Sequence, residues 1–329
     1  MTLKQLDTAT AIPAQFGGDP TIWATWLYYA ESRTQAEVAS ALGVSRASVA
    51  NYLAEARRRG LVSISVAPDL LEQIRLSNSV SEKYGLDGVF IAPYDTDVEN
   101  KPQALRHRLG IAGAQTLASR LTEDTLLGVA WGRTMVEVAA ALPMKDLRDM
   151  RVVQISGSSL GDEASSPEAC TLLIAGRLGA KCHNFHAPAV VTTRELRDAL
   201  LAEPTLVRHF ERLTACSIVV FGVGELTSDS RWADGDNLIR PSAEEYMNNG
   251  GAGVLIGRFI DSTGHELEGP LSGRQIGMEL DDLRNVPTRL CIAGGAEKLP
   301  AIRATLAGGY VTHLVTDMKT AQDLAGGNG

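Results

Sequence analysis

Apolar and polar positions follow two different rhythms along the chain. Between residues 22 and 59 they recur at helical spacing, and short breaks divide this segment into three predicted helices at 22–31, 35–42 and 46–59. Residues 62–66 (VSISV) then alternate in the manner of a β-strand until Pro68. The pattern predicts a flexible segment over 1–20 and a winged-type, three-helix domain over 21–67.

The rest of the chain alternates helical stretches with short runs rich in β-branched residues. A connecting helix is predicted over 70–84, and the runs lie at 88–91, 125–129, 151–155, 217–221, 254–256, 289–293 and 311–316. Strands that alternate with helices of this length are typical of a parallel, doubly wound sheet. We therefore expect an α/β fold with a mostly parallel sheet domain over 68–326.

Residues 34–62 combine the features of a helix-turn-helix. Gly43 supplies a tight turn, and the Ser45 hydroxyl can accept a backbone hydrogen bond that starts the second helix. Small or apolar residues occupy the positions where two crossing helices touch: Ala36, Val38, Ala39, Leu42, Val44, Val49, Leu53 and Ala56. In this motif the N-terminal part of the second helix enters the major groove of DNA.

The side chains expected to contact DNA lie on or near that second helix. Arg46 is suited to reading guanine and Asn51 to reading adenine, whereas Ser45 and Ser48 suit phosphate contacts. The full candidate set is Gln35, Ser45, Arg46, Ala47, Ser48, Asn51, Tyr52 and Arg57. The alternative is a three-helix module for protein contacts, with residues 57–59 as a solvated basic face.

Charge narrows the way in which this domain can hold DNA. The chain has a net charge of −8, which argues against coating nucleic acid through bulk charge. Residues 1–66 contain six Lys and Arg against five acidic residues, a net of +1, so the remainder carries −9. Because one such domain binds weakly, we expect a homo-oligomer that pairs two recognition helices on double-stranded operator DNA.

Several other kinds of site are less well supported. The four cysteines form no close C-x-x-C pair, and Cys182, His183 and His186 lack further ligands, so packing is favoured over metal binding. Residues 222–224 lack the third glycine of a nicotinamide fingerprint, and no cofactor is predicted. Ser159 lies in a G-x-S-x-G pattern but without a convincing helix directly after it. No leader or membrane-spanning run is evident, which predicts a cytoplasmic protein.

Two strand-loop-helix turns are suited to holding a small ligand. The first, 130–134, follows a predicted strand, and its free amides and Arg133 can hold an anion or hydroxyl groups. Trp131 either stacks on a sugar or packs in the core. In the second turn Gly294 and Gly295 permit close backbone approach, and Lys298 is either an anion ligand or a surface lysine.

Four motifs together resemble the SorC family of sugar-binding regulators over nearly the whole chain from about residue 20: LGVAWGRT, FGVG, GRFIDSTG and AGGAEKLPAIRATLAGGYVTHLVTD. The resemblance implies an effector domain similar in fold to sugar-phosphate isomerases, usually in a homotetramer. It also implies that Lys298 contacts the effector and that Asp261 accepts sugar hydroxyls, although an Asx-turn is an equal reading for Asp261. Ala130 and the helix sequence SVANYL depart from the family's common pattern, which leaves the ligand and the operator open.

The predicted function is therefore a carbohydrate- or polyol-responsive transcription regulator, whose effector is a small sugar, polyol or phosphosugar. The candidate effector-binding residues are Gly128, Trp131, Gly132, Arg133, Thr134, Gln154, Gly157, Ser158, Gly222, Gly224, Asp261, Gly294 and Lys298. The alternative is a sugar-phosphate isomerase or deaminase with a DNA-binding appendage. That chemistry needs a positioned acid or base, and no compact set of such residues is evident in these loops, so no catalytic residue is predicted.

Overall fold

The computed structural model describes residues 12–62, 68–93, 102–158, 163–227 and 239–326. The chain divides into two compact units, Met1–Leu70 and Leu71–Gly329, each with its own apolar core. Most of the predicted strand at 62–66 lies outside the described residues, as does Ser159 of the G-x-S-x-G pattern.

The first unit is a bundle of short helices. They are α1 (Pro20–Thr25), which continues as a π-helical turn (Trp26–Ala30), α2 (Gln35–Leu42) and α3 (Arg46–Arg58). The turn between α2 and α3 is closed by Gly43 with φ 68°, a left-handed conformation that glycine adopts without strain. Trp23, Val38 and Leu53 are buried at the centre. Ala36, which the sequence places in a helix contact, is exposed instead.

The second unit is built on a seven-stranded, fully parallel sheet in the order β1-β10-β9-β5-β2-β3-β4. Its strands are β1 (Gly88–Ile91), β2 (Leu126–Val129), β3 (Arg151–Gln154), β4 (Lys181–His183), β5 (Ile218–Phe221), β9 (Thr288–Ile292) and β10 (His313–Thr316). This confirms the predicted α/β fold class with a mainly parallel sheet.

Helices cover both faces of this sheet because its central strands are apolar on both sides. In β5, Ile218 and Val220 face one apolar cluster, and Val219 and Phe221 face the other. The helices are α4 (Pro68–Tyr84), α5 (Pro102–Ala118), α6 (Arg133–Ala141), α7 (Pro167–Leu178), α8 (Arg194–Leu201), α9 (Pro204–Thr214), α10 (Ile239–Asn248), α11 (Leu280–Asn285), α12 (Leu299–Ala307) and α13 (Met318–Gly326).

A small antiparallel sheet accompanies the main one. It consists of β6 (Val223–Gly224), β7 (Gly251–Leu255) and β8 (Arg258–Asp261). The run at 254–256 was expected to be a strand of the parallel sheet, and that expectation is wrong: it belongs to the β7-β8 hairpin. A two-residue connection is too short for the crossover that parallel pairing requires, so the two strands pair antiparallel. The glycine-rich start of β7 packs its backbone against α12, where a Cβ at Gly253 would lie 2.4 Å from that of Ala301.

Candidate functional site

Helix α3 presents an exposed face that is small and polar. Arg46, Ala47 and Asn51 are exposed, whereas Tyr52 is only partly exposed and packs against the core of the first unit. Ala50 and Ala54, which the sequence analysis did not include, lie on the same exposed face. Their short side chains let a helix approach base edges closely, and alanine methyl groups suit contact with thymine.

The arginines of this helix are not equivalent. Arg59 pairs with Asp19 at 2.7 Å, and Arg58 pairs with Glu55 one turn earlier. The Arg59 hydrogen bond lowers the pKa of the Asp19 carboxyl below its usual value. Among the described residues, the Arg57 guanidinium donates to one group, the Tyr29 hydroxyl, at 3.3 Å. Within the described part of the chain, Arg57 and Arg46 therefore have no acidic partner, and both can contact phosphate groups or bases.

The start of α3 is fixed by two serines that bond to each other. The Ser45 hydroxyl accepts from the Ser48 amide at 3.1 Å, and the two hydroxyls are 2.9 Å apart. Ser45 thus caps the helix as expected. The hydrogen bond between the two hydroxyls already uses part of the capacity of each to contact DNA. Gln35 begins α2 and is partly exposed.

A cavity of about 590 Å³ opens in the second unit at the carboxyl ends of three adjacent strands, β9, β5 and β2. In an open α/β sheet this is where ligands bind. The cavity brings together many of the residues expected to bind the effector: Trp131, Gly132, Arg133, Thr134, Gly222, Gly224, Gly294 and Lys298.

The β2-α6 turn aims a helix N-terminus at this cavity. Gly132 sits at the start of α6 with φ 106° and ψ 170°, a conformation that favours glycine, and no side chain among the described residues caps the helix. The first amides, those of Arg133 and Thr134, have no partner within the helix. Amides without a helical partner at the positive end of a helix, with Arg133 beside them, are suited to binding an anion.

A second arginine, Arg106 of α5, lines the same cavity. Burial lowers the pKa of Arg106, and the positive charge of Arg133 lowers it further, although Glu137, Glu225 and Glu297 oppose the shift. Two guanidinium groups that repel each other at a cavity wall gain stability when an anion lies between them. Arg106 was not predicted from the sequence because it lies on a helix that is separated along the chain from both turns expected to bind a ligand.

Lys298 and Glu225 form a mixed-charge part of the cavity wall. The Lys298 ammonium donates to the carbonyl oxygen of Val223 at 2.9 Å and lies 3.6 Å from a Glu225 carboxylate oxygen. Both side chains are largely buried, with exposed fractions of 23% and 17%. An ammonium beside a carboxylate offers a donor and an acceptor to ligand hydroxyl groups.

Trp131 and the β7-β8 turn close another side of the cavity. Trp131 packs against both apolar clusters of the sheet, and its ring lies on Gly257, so core packing and cavity lining are combined in one residue. Ile256 lines the cavity with φ 46°, an uncommon conformation for a β-branched side chain. Gln275 supports this turn by donating to the Gly257 carbonyl at 2.6 Å.

The structure does not place five of the expected effector residues at this cavity. A Cβ at Gly128 would point at the buried side chains of Ile155 and Val219, at 2.8 and 2.9 Å. Gln154 is fully buried, where it donates to the Ser156 carbonyl and accepts from the Phe185 amide. These two residues pack the sheet instead of facing a ligand.

Gly157 and Ser158 follow β3, but their backbones pair with two loops that are distant in the chain. Gly157 donates to the Ile276 carbonyl at 3.0 Å, and Ser158 donates to Ala187 at 2.8 Å. Asp261 forms an Asx-turn: its carboxylate accepts from the Thr263 amide and hydroxyl and from a third donor, the His265 amide. The hydrogen bond from the Thr263 hydroxyl is the main reason why the pKa of the Asp261 carboxyl lies below its usual value.

Comparison with known proteins gives the chain its family. Residues 69–325 match the family model described as "Putative sugar-binding domain". The uncharacterized transcriptional regulator YjhU of Escherichia coli K12 is 33% identical over 311 residues, which cover 94% of this chain and 95% of that protein. The erythritol catabolism regulatory protein EryD of Brucella abortus 2308 is 29% identical over 305 residues, 92% of this chain and 95% of that one.

A solved structure shares the fold. The full-length sorbitol operon regulator SorC from Klebsiella pneumoniae aligns with a TM-score of 0.71 and 24% identity, over 93% of this chain and 97% of that one. No described helix has the length and apolar character needed to cross a bilayer. The family match and these relatives, which span nearly all of both units, confirm what the four sequence motifs indicate: this chain belongs to the SorC family of sugar-binding transcriptional regulators.

Proposed function

We propose that this chain regulates a carbohydrate or polyol operon and that a small phosphorylated sugar or polyol, bound in the cavity at β9, β5 and β2, sets its affinity for operator DNA. The observation that supports this most directly is the composition of the cavity wall. A paired set of arginines and a helix N-terminus lie at one part, and a lysine-carboxylate pair lies at another.

The arginine part accounts for the phosphate. Arg106 and Arg133 approach each other closely enough for the charge of one to lower the pKa of the other. A dianionic group relieves that repulsion and also accepts hydrogen bonds from the amides at the start of α6. A neutral polyol would leave the repulsion in place.

The lysine-carboxylate part accounts for the hydroxyl groups. Lys298 is anchored by the Val223 carbonyl, so its ammonium is held in one position beside Glu225. Donor and acceptor together match a hydroxyl, which both accepts and donates. The cavity of about 590 Å³ falls within the range typical of small-molecule sites.

The DNA-binding role rests on the exposed face of α3. Arg46 and Asn51 occupy the first two turns of that helix, where a helix-turn-helix reads the major groove. Because two of the four arginines from Arg46 to Arg59 are paired with acidic residues, one domain offers few phosphate contacts. We therefore propose a homo-oligomer, dimer or tetramer, and a cytoplasmic location where operator DNA is accessible.

Ligand binding is tested by thermal unfolding and calorimetry with three pairs of compounds: sorbitol 6-phosphate and sorbitol, erythritol 4-phosphate and erythritol, and ribose 5-phosphate and ribose. We expect a phosphorylated member to bind; at about 100 times its dissociation constant it stabilises the fold by about 2.7 kcal/mol. The double variant Arg106→Ala/Arg133→Ala loses the preference for phosphate, whereas the control Arg177→Ala on the end of α7 keeps it. Equal binding by both members of every pair contradicts the phosphate assignment.

Regulation is tested by fluorescence anisotropy on the DNA upstream of the gene, with and without the bound compound. We expect operator affinity to change by about 5- to 150-fold, the usual range of allosteric coupling. The same compounds incubated with the protein in a turnover assay test the isomerase or deaminase alternative. Catalysis that disappears in Lys298→Ala would favour an enzyme over a binding site.

A further inference from the structure

The residues that follow β10 suit a further role, which rests on the proposed function. We propose that Asp317 positions the effector loop 294–298 and that helix α13, which begins directly after Asp317, connects this loop to helix α4. Helix α4 is the next helix after α3 in the chain: nine residues, 59–67, separate it from the end of α3. The connection would make α13 the element through which ligand binding changes α4.

Asp317 holds the loop from behind through a backbone contact. One of its carboxylate oxygens accepts from the Gly295 amide at 2.9 Å and from the Thr320 hydroxyl at 2.6 Å, and that hydroxyl also accepts from Gly295 at 3.0 Å. At Gly294, a Cβ would lie 2.3 Å from the same carboxylate oxygen. Asp317 and Thr320 therefore hold the loop at Gly295, which is three residues before Lys298.

The same carboxylate also starts α13. Its other oxygen accepts from the Thr320 amide at 3.0 Å, which satisfies one of the free amides in the first turn of the helix. A displacement of the loop thus acts on both oxygens of one carboxylate. The first turn of α13 cannot keep its cap unless Asp317 stays in place, so loop position and helix start are coupled.

Helix α13 in turn contacts α4 at several levels. Lys83 donates to the carbonyl oxygen of Leu324 at 2.9 Å, and Gln322 donates to Glu72 at 3.3 Å. Leu324 and Val80 are fully buried members of the same apolar cluster. The hydrogen bonds join residues about 240 to 250 positions apart in the chain, so α13 ties the C-terminal end of the fold to the helix that leads from the DNA-binding unit.

The positioning role is tested with Asp317→Asn, measured by hydrogen exchange of the ligand-free full chain and by calorimetry with sorbitol 6-phosphate. Asp323→Asn is the matched control, since that carboxylate lies on α13 and, among the described residues, pairs with Lys319 rather than with the loop. We expect Asp317→Asn to weaken binding by about five- to tenfold, as loss of one buried hydrogen bond predicts. It should also speed exchange in 294–298, in the first turn of α13 and in α4.

If Asp317→Asn exchanges at the wild-type rate in 294–298 and α13, or binds with wild-type affinity, the positioning role is wrong. If it exchanges at the wild-type rate in α4, the connection between α13 and α4 is wrong. Thr320→Val gives the same test if Asp317→Asn does not fold. The ligand-free exchange experiment needs no ligand, so it remains decisive even if the proposed effector fails to bind.

The connection is tested further with the double variant Lys83→Met/Gln322→Leu. We expect its affinity for sorbitol 6-phosphate to match that of the wild type, while the ligand-dependent change in operator affinity falls by about threefold or more. If the ratio of operator affinities with and without ligand equals that of the wild type, the connection between α13 and α4 is wrong. If the wild-type protein itself shows no ligand-dependent change, the proposed function has failed instead, and the exchange data alone decide the role of α13.

Discussion

The unequal pairing of the arginines on α3 makes a quantitative prediction for DNA binding. Arg57 and Arg59 are two residues apart and both exposed. Arg59 is paired with Asp19 at 2.7 Å, whereas Arg57 donates to a tyrosine hydroxyl and has no acidic partner among the described residues. We predict that Arg57→Ala weakens non-specific DNA binding and that Arg59→Ala does not. Asp19→Asn, which releases Arg59 and keeps a good helix cap, should strengthen it.

The size of the effect follows from counterion release. Each phosphate contact contributes about −0.9 to the slope of log K against log salt, so a fourfold rise in salt, from about 50 to about 200 mM, weakens binding by about 3.5-fold per contact. If two recognition helices are engaged, loss of Arg57 removes two contacts. The loss of affinity over this salt range then becomes about 12-fold smaller than in the wild type. Arg59→Ala should leave the slope unchanged.

The assay is fluorescence anisotropy with a random-sequence duplex at four salt concentrations between these limits. A random duplex isolates the phosphate term, so the operator sequence need not be known. Arg59→Ala serves as the matched control for charge removal at the end of the same helix. A slope that falls as much in Arg59→Ala as in Arg57→Ala refutes the pairing argument, as does an unchanged slope in Asp19→Asn.

Three further predictions concern stability, each measured by urea unfolding. Gly128→Ala should destabilise by about 1–3 kcal/mol because its Cβ meets buried side chains at 2.8 and 2.9 Å, whereas Gly176→Ala, with open space, should stabilise by about 0.5–1 kcal/mol. Arg258→Met should cost about 1–3 kcal/mol, since that 7% exposed guanidinium bonds two partly exposed carboxylates. Burial lowers the pKa of His209 below its usual 6.5, so the unfolded chain takes up protons first and stability should fall as pH drops below about 6.5. The fall should be smaller in His209→Gln, and an equal fall in both proteins contradicts the assignment.

Much of the fold could be predicted from the sequence because its signals are local. The turn glycine and the cap at Ser45 fix the start of α3 whatever surrounds it. Buried β-branched runs likewise marked six strands of the parallel sheet. The hairpin at 254–256 shows the limit of such signals: an apolar run shows that a strand is buried, but its partner and direction depend on how many residues separate it from the next strand.

The cavity at β9, β5 and β2 could be predicted only in part, since strand order is not a local property. The sequence shows that β2, β3 and β9 each end in a polar or glycine-rich turn, but not which of these turns share an opening. The turn after β3 is covered by backbone pairing of Gly157 and Ser158 with distant loops. Arg106 reaches the cavity from a helix, where nothing in its neighbouring residues distinguishes it from a surface arginine.

The charge distribution bears on how such a regulator can be switched. With Arg58 and Arg59 paired with acidic residues, the proposed DNA-binding unit offers few positive side chains, so we expect its affinity per domain to be low. Low affinity per domain makes operator binding depend strongly on whether two recognition helices reach their half-sites together. In the proposed homo-oligomer, a ligand needs to change only the spacing of the paired domains, and a coupling of about 1–3 kcal/mol suffices. A more basic domain would bind DNA in either arrangement and would respond less to the ligand, so internal pairing of the arginines favours regulation at the expense of affinity.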